Sequence, residues 1–326
     1  MGLTGALLAV DAGNSKTDVA VLAPDGTVLG EARGGGFRPP VVGVAAAVDA
    51  LAEIVDAAWS AAGGDAAPVF GRVAACLANA DLPVEEAELT AALEARGWGG
   101  AVRVHNDTFA ILRAGVDEPR GVAVVCGAGI NCVGMTPDGR TARFPAIGKI
   151  SGDWGGGGGL AEEALWFAAR AEDGRGAPTE LARALPEHFG LASMYALIEA
   201  LHLGHVAPER RHELTPVLFR TSAAGDPVAR SLVDRLAEEV VALASVALGR
   251  LGLLGEEVPV VLGGSVLAAR HPRLDARIAA LLAVKAPRAV LRVVTAPPVL
   301  GAGLLALDAA GAPPEAAARL REHYGS

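Results

Sequence analysis

The stretch ALLAVDAGNSKTDVAVLAPDGTVLG, residues 6–30, contains three short apolar runs, separated first by a Gly-rich turn and then by a Pro-Asp-Gly turn. Short apolar runs between such turn residues predict β-strands, so we expect a β-meander here. The stretch GVAVVCGAGINCVGMTPDGRTARF, residues 121–144, contains the same features in the same order, 115 residues further on (121 minus 6). A repeat at this spacing predicts a duplicated domain.

Strands and helices alternate after the first meander. The hydrophobic pattern predicts a helix at about Val44–Ala62, a strand at Gly71–Leu77, a helix at Glu85–Arg96 and a strand at Ala101–His105. Helical periodicity dominates after the second meander, with two further strands. Those helices are predicted at Leu160–Ala171, Ser193–Leu203, His212–Ala224, Pro227–Leu254, Leu300–Leu307 and Pro314–Tyr324, and the strands at Val258–Leu262 and Val290–Val294. The pattern indicates an α/β fold.

The composition excludes several classes of protein. The chain has 326 residues, a net charge of −9 and 52% hydrophobic residues, which is enough apolar material for a buried core. An acidic chain without a basic run is not typical of a nucleic-acid-binding protein. The longest apolar stretch begins at Val240 and is cut by Arg250, and no signal peptide is recognisable, so we expect a cytoplasmic protein without a membrane partner.

The cysteines and histidines do not predict a metal site. Cys76, Cys126 and Cys132 fall at no zinc or disulfide spacing, and we expect all three to be reduced and buried. His202 and His205 could share one face of a helix, but no Cys or acid completes a ligand set.

The Gly-rich turn of the first meander is a candidate phosphate site. Asp11 stands at the end of a predicted strand and is followed by small and polar residues up to Thr17. Backbone N–H groups and hydroxyls in such a turn can face phosphate oxygens, while the carboxylate holds a hydrated Mg²⁺. An ordinary hairpin turn is the alternative. The spacing matches neither a Walker A loop nor a Rossmann loop.

Asp107 follows the strand at Ala101–His105, at the point where a helix begins. Active-site residues of α/β sheets commonly lie there, but Asp is also a favoured N-cap, so both a catalytic base and a cap remain open. Further Gly-rich turns follow buried strands at Gly127–Gly129 and Gly263–Ser265. The tract Gly155–Gly159 is too rich in glycine for a regular element, and we expect a mobile substrate loop or a surface loop.

These motifs resemble those of the BadF/BadG/BcrA/BcrD ATPase family, and within it the N-acetylglucosamine kinases, which belong to the actin, hexokinase and Hsp70 superfamily. LLAVDAGNSKTD resembles the family's first phosphate motif, VHNDTFA its catalytic Asp segment and VVCGAGINCVG its S-G-T-G-S-N motif. Gly152 and Asp153 match the G-D of its G-W-G-x-x-x-G-D-E-G-S stretch, and VPVVLGGSVL is similar to its adenosine motif.

The resemblance implies two actin-like (ribonuclease H-like) domains with a nucleotide cleft between them: residues 1–108 plus about 305–326, and residues 109–304. It also implies ATP and Mg²⁺ as cofactors, with Mg²⁺ held by Asp11 through water and with Asp107 as general base. The nucleotide would contact Asp11, Gly13, Asn14, Ser15, Lys16, Thr17, Gly127, Gly129, Gly263, Gly264 and Ser265. The sugar would contact Asn79, Asp107, Asn131 and Asp153.

The implied function is ATP-dependent phosphorylation of a small sugar, an amino sugar such as N-acetylglucosamine or glucosamine, by a homodimer. Two alternatives are an ATPase that activates a dehydratase or reductase, and a non-catalytic sugar sensor. The chain departs from the family on the sugar side at Ala128, Ile130, Ile147 and Trp154. We therefore predict that N-acetylglucosamine is not its best substrate by a wide margin.

Overall fold

The computed structural model describes residue 3 and residues 5–325. The strands are β1 Leu7–Ala12, β2 Lys16–Leu22, β3 Val28–Gly35, β4 Phe70–Leu77, β5 Gly99–Asn106, β6 Gly121–Cys126, β7 Ile130–Met135, β8 Thr141–Arg143, β9 Val258–Gly263 and β10 Ala289–Val293. The helices are α1 Pro39–Val42, α2 Val44–Ala61, α3 Pro83–Glu94, α4 Thr108–Ala114, α5 Gly156–Glu172, α6 Leu181–His188, α7 Met194–His202, α8 Leu214–Ala224, α9 Pro227–Leu251, α10 Ser265–Ala268, α11 Pro272–Lys285, α12 Pro298–Ala310 and α13 Pro314–His323.

Two five-stranded sheets with the same strand order form the frame of the fold. The first has the order β3-β2-β1-β4-β5 and the second β8-β7-β6-β9-β10. In the first sheet β2 is antiparallel to β1 and β3, whereas β1, β4 and β5 are parallel. The equal order, in which β6–β8 take the places of β1–β3, confirms the duplicated α/β fold that the two meanders predict.

The described chain divides into two compact units. Unit 1 consists of Met1–Ala123, Val133–Pro145 and Val294–Ser326, and unit 2 of Val124–Cys132 and Ala146–Val293. The domain boundaries given above, near residues 108 and 305, stay a prediction.

The core of unit 1 explains why β1 is apolar at nearly every position. Its side chains alternate between the two faces of the sheet, and both faces are covered. Leu8 packs in one cluster with Val55 of α2, and Leu7 packs in another with Leu304 of α12. Burial of one such leucine contributes about 1.5–3 kcal/mol, so β1 fixes the position of the turn that follows it.

Unit 2 is mainly helical, and several of its elements differ from the sequence prediction. α6 and α11 were not predicted, although α11 buries Leu274, Ile278 and Leu282 at a spacing of four residues. The expectation of an irregular loop at Gly155–Gly159 is wrong, because α5 begins at Gly156.

Tertiary packing is the reason that α5 begins within the glycine tract. A Cβ on Gly156 would lie 2.5 Å from the Cα of Gly129, so a side chain has no room there. The N–H of Gly157 donates to the carbonyl of Gly127 at 2.7 Å, and the N–H of Gly158 donates to that of Ala128 at 3.0 Å. These contacts offset the poor helix propensity of glycine.

The three cysteines are free and buried, as predicted. Burial raises the pKa of the Cys126 thiol to about 12. Within residues 3 and 5–325, no helix is long and apolar enough to cross a membrane.

Candidate active site

The carboxyl ends of the parallel strands β1, β4 and β5 lie together at one end of the first sheet. In register, Asp11 pairs with Cys76, and Cys76 pairs with His105. The segments that follow these strands therefore leave the sheet at the same edge, and they carry Asn79 and Asp107. Ligands of open α/β sheets bind beyond the carboxyl ends of the strands.

The turn after β1 is a tight backbone loop that other segments hold in place. The N–H of Gly13 donates to the carbonyl of Lys16 at 2.9 Å, and that of Phe37 donates to the carbonyl of Gly13 at 2.9 Å. The Asn79 amide donates to Asn14 Oδ1 at 3.1 Å and to the Phe37 carbonyl at 3.2 Å. Asn79 has a φ of 63°, a left-handed conformation that Asn tolerates better than most residues. The turn is thus fixed before any ligand arrives.

Asp11 is a buried acid at the start of this turn, with only 7% of its surface exposed. Burial raises the pKa of its carboxyl to about 7, and the negative charge of Asp107 acts in the same direction, while Lys16 opposes both. Asp11 and Asp107 therefore lie close enough to influence each other's ionisation. A carboxylate oxygen in this environment is of the type that Mg²⁺ prefers.

Lys16 does not stand alone in the turn. Its ammonium pairs with Asp18 on β2, and Arg33 on β3 pairs with the same carboxylate. Burial alone would raise the pKa of Asp18, but hydrogen bonds from Arg33 and Lys16 outweigh it and lower the pKa below its ordinary value. Thr17, also predicted to contact nucleotide, is buried in β2 with 2% of its surface exposed.

The structure distinguishes the two predicted roles of Asp107. It occupies the N-cap position of α4, but it has helical backbone angles and its side chain makes no capping hydrogen bond. Instead Asn106 Oδ1 accepts the N–H of Thr108 at 3.0 Å. Burial raises the pKa of the Asp107 carboxyl to about 6, although hydrogen bonds from Thr108 oppose the shift. Asp107 therefore makes no capping hydrogen bond with its side chain, and its role as general base stays a prediction.

A third acid, Asp81, lies at the same carboxyl end of the sheet, and it was not predicted as a site residue. Asp81 accepts a hydrogen bond from the Asn106 amide at 2.8 Å. Burial raises its pKa to about 7, and the charge of Asp107 adds to the shift. Arg143 donates to the Ala80 carbonyl at 2.9 Å beside it. The polar residues Asn79 and Asp81, directly after the buried strand β4, are the sequence feature that could have indicated this acid as a site residue.

The turn after β6, in unit 2, offers exposed backbone groups and open space for a ligand. An added Cβ would meet nothing within 4 Å at Gly127 or at Gly129, and neither has a positive φ. Protein packing therefore does not require glycine at these two positions, and the missing side chains leave room for a ligand. Asn131 accepts the N–H of Cys132 through its own Oδ1 at 2.7 Å.

The turn after β9 packs on the turn after β6. Gly263 ends β9, Gly264 has a φ of 82°, and α10 begins at Ser265. A Cβ on Gly264 would lie 2.5 Å from the backbone carbon of Cys126, so no other residue fits. Gly264 therefore has a structural reason to be glycine, unlike Gly127.

A cavity of about 250 Å³ in unit 2 contains the departures from the family pattern. Ala128, Ile130 and Trp154 line it, whereas Ile147 does not, and it also contains Asp153. Asp153 accepts the N–H of Gly148 at 2.8 Å and the Ser151 hydroxyl at 2.7 Å. The other charged residues that line it are Lys149, Glu162 and Glu163.

The predicted site residues thus form a group in each unit. Unit 1 holds Asp11, Gly13, Asn14, Ser15, Lys16, Thr17, Asn79 and Asp107, and unit 2 holds Gly127, Gly129, Asn131, Asp153, Gly263, Gly264 and Ser265. No group of three or more His, Cys, Asp or Glu side chains with metal-binding geometry occurs among residues 3 and 5–325, so His202 and His205 form no such site.

The two sheets of equal strand order, with acids and Gly-rich turns at their strand ends, define an α/β protein of the actin-like ATPase class. The chain belongs to the BadF/BadG/BcrA/BcrD ATPase family, which matches it over residues 8–306. The family that the motifs resemble is thereby confirmed.

Two curated relatives are kinases of amino sugars. The N-acetylmuramic acid/N-acetylglucosamine kinase of Clostridium acetobutylicum is 26% identical over 58% of this chain, and the N-acetyl-D-glucosamine kinase of Dictyostelium discoideum is 27% identical over 63%. The matched parts of this chain span 62% and 65% of the lengths of those relatives.

Solved structures agree on the fold. A provisionally assigned N-acetylglucosamine kinase from Chromobacterium violaceum superposes with a TM-score of 0.68 at 25% identity, covering 92% of this chain and 98% of that one. A ROK family glucokinase from Streptomyces griseus, solved with glucose and AMPPNP, gives a TM-score of 0.55 at 18% identity, covering 93% of this chain and 99% of that one.

Proposed function

We propose that this protein transfers the γ-phosphoryl group of ATP to a hydroxyl of a small amino sugar. One observation carries the proposal: Asp107, at the carboxyl edge of the first sheet, is a non-capping carboxyl whose pKa of about 6 lies close to neutral. Membership of an ATPase family and the kinase names of two curated relatives support it.

Asp107 is the proposed general base. In phosphoryl transfer the protein mainly positions groups and neutralises charge, and a carboxylate accepts the proton of the attacking hydroxyl. A base with a pKa near the working pH is ionised in a useful fraction and still binds a proton. Asn106 supports this role, because it takes over the contact with the helix N-terminus and is itself held by Asp81.

The open turns suit the phosphates of ATP. Gly127 and Gly129 leave space that a side chain would fill, which is the property that a close approach to phosphate requires. We assign nucleotide contacts to Gly13, Asn14, Ser15, Lys16, Gly127, Gly129, Gly263, Gly264 and Ser265. Thr17 is left out because it is buried in β2. Asp11 would hold Mg²⁺ through water. The bound ion would neutralise charge on the phosphates.

The charges of the unit 2 cavity favour a sugar that carries a free amine. Three carboxylates, from Asp153, Glu162 and Glu163, line it together with one ammonium, from Lys149. The ammonium lies 4.0 Å from Glu162 and 3.9 Å from Glu163, so it partly neutralises only those two. We therefore assign Asn79, Asn131 and Asp153 as sugar contacts and rank glucosamine above N-acetylglucosamine.

The activator alternative is not favoured. That role requires cysteines that can reach an iron–sulfur cluster between subunits, whereas Cys76, Cys126 and Cys132 are each fully buried. The sensor alternative predicts sugar binding without turnover. The homodimer stays a prediction, which sedimentation velocity can check.

A phosphoryl-transfer assay tests the proposal with hexoses, hexosamines, N-acetylhexosamines and muramic-type sugars as acceptors. We expect Mg²⁺-dependent ADP release with a hexosamine. Glu163→Gln should raise the KM for glucosamine by about three- to fivefold and leave that for glucose unchanged. The control is Glu172→Gln, at the end of the same helix and outside the cavity. Absence of turnover with every sugar would contradict the kinase assignment.

A further inference from the structure

Unit 1 contains a second cavity, of about 390 Å³, beside β5. Because β5 is an edge strand of the first sheet, no further strand covers this side. Arg103 and His105 pair in register with Ala74 and Cys76, so all four share the sheet face on which α12 packs. The lining includes none of the residues assigned above to nucleotide, sugar or Mg²⁺.

The charge of this cavity is predominantly positive. Arg72, Arg103 and Arg140 line it, and Asp308 is the one acid among its described lining residues. Arg113 already binds both oxygens of the Asp308 carboxylate, at 2.7 and 3.1 Å. Asp308 therefore does not balance the guanidinium groups of Arg72 and Arg103, whereas Arg140 forms an ion pair with Asp138 at 2.8 Å.

Two of these guanidinium groups have donors left for a ligand. Arg103 is exposed and makes no hydrogen bond or ion pair with any residue in the described part of the chain. Arg72 donates only to backbone carbonyl oxygens, those of Ala309 at 3.3 Å and Gly71 at 3.5 Å. Arginine presents several N–H donors in one plane, which matches phosphate oxygens in pairs.

The rest of the lining is mainly apolar, with Phe109, Met135 and Leu305, and it also includes Thr136, Thr141 and His105. The His105 ring packs against Phe109 with 5.6 Å between the ring centroids. Burial lowers the pKa of His105 to about 4, and the charges of Arg103 and Arg143 add to this effect, so the ring is neutral near pH 7. A cavity of this volume can enclose a small organic ligand.

We propose that this cavity is a separate binding site for a small phosphomonoester, with the phosphate on Arg72 and Arg103 and the organic body on Phe109 and Leu305. An inorganic ion alone would leave the apolar lining uncovered. Arg140 already pairs with Asp138 and is not part of the proposed phosphate contact. The site does not depend on the kinase assignment, because none of its lining residues is assigned to nucleotide, sugar or Mg²⁺, although His105 and Phe109 lie two residues on either side of Asp107.

NMR of the holoprotein labelled with ¹³C at histidine tests the site with two probes, phenyl phosphate and inorganic phosphate. The chain has seven histidines, and His105→Gln identifies the resonance of His105. We expect phenyl phosphate to shift the His105 resonance saturably and to bind about tenfold or more tightly than inorganic phosphate. Bound anion should also raise the pKa of the ring.

Three variants separate this site from the turn at Asp11. Arg103→Gln, an exposed substitution that should not disturb folding, should weaken phenyl phosphate binding about tenfold or more, and Arg103→Lys should restore part of it. Lys16→Met should leave the shift unchanged. Any of three results would overturn the proposal. The first is a His105 resonance that does not shift, and the second is equally tight binding of the two probes. The third is a shift that persists in Arg103→Gln and is lost in Lys16→Met.

Discussion

The turns after β1 and β6 occupy equivalent places in two sheets of the same strand order, but they differ in chemistry. The first turn is surrounded by ionisable groups: Asp11 begins it, Lys16 ends it, and the Asp18 carboxylate pairs with both Lys16 and Arg33. The second turn, Gly127–Asn131, carries no charged side chain. Its backbone instead receives hydrogen bonds from the start of α5.

The difference indicates that the duplication repeats a scaffold and not a site. Strand order and turn position recur because both depend on apolar runs and turn residues, which each copy retains. Acids and cations depend on single residues, and of the two turns only the one after β1 has them. We therefore expect substitutions at the first turn to change the chemistry and substitutions at the second turn to change ligand fit.

The largest effect is expected at Asp11. Asp11→Asn removes the proposed Mg²⁺-bound carboxylate and should lower turnover by about 10³-fold. Asp11 is buried and its pKa is raised, so its charge opposes folding above pH 7. The variant should therefore unfold at the same or a higher temperature. Asp65→Asn, at an exposed acid of the same unit, is the control.

Asp107→Asn should lower kcat by about 10²-fold or more while the KM for ATP and the unfolding temperature change little. Asn is nearly isosteric with Asp and caps helices about as well, so a cap would tolerate the change. Steady-state kinetics with the best acceptor of the sugar panel decide between the roles. Wild-type turnover in this variant would show that Asp107 is not the general base.

Two glycines of unit 2 sharpen the comparison between the turns. Gly127→Ala adds a methyl group into open space, so it should raise the KM for ATP by about tenfold or less and leave the unfolding temperature unchanged. Gly264→Ala meets backbone at 2.5 Å with a φ of 82° and should cost at least about 1 kcal/mol of stability. Equal stability losses in both variants would contradict the assignment of Gly127 to ligand fit.

The smallest effect is expected at Asp81. Its folded-state pKa of about 7 exceeds the ordinary value of 3.8, so its contribution to stability is present below pH 4 and is lost as the pH rises to 7. Asp81→Asn keeps the acceptor for Asn106 and removes this dependence. The free energy of unfolding of the variant relative to wild type should increase by about 1 kcal/mol between pH 4 and pH 8, because solvent at the partly exposed Asp81 screens most of the roughly 4 kcal/mol that the full pKa shift would give. Urea titrations at both pH values measure it, and a constant difference would assign the pKa shift to other groups.

Part of the site was predictable because it lies where apolar strands end. Asp11 and Asp107 each follow a strand that its own residues define, so their position at a sheet edge follows from the local pattern. Asp81 and Asp18 were missed, because their importance depends on neighbours distant in sequence: Asn106 for Asp81, and Arg33 for Asp18. The failure at Gly156 has the same origin, since its helix depends on contacts with the backbone of residues 127–129.

The sequence by itself determined the duplicated α/β scaffold, the family and the places of the Gly-rich turns, because periodicity and turn chemistry act over a few residues. Only the tertiary structure decided which ionisable groups are buried and which charges lie near them. Burial and a neighbouring carboxyl raise the pKa of Asp11 to about 7, and burial lowers that of His105 to about 4. Both values depend on the summed field of groups that the chain brings together from many positions, which no local pattern encodes.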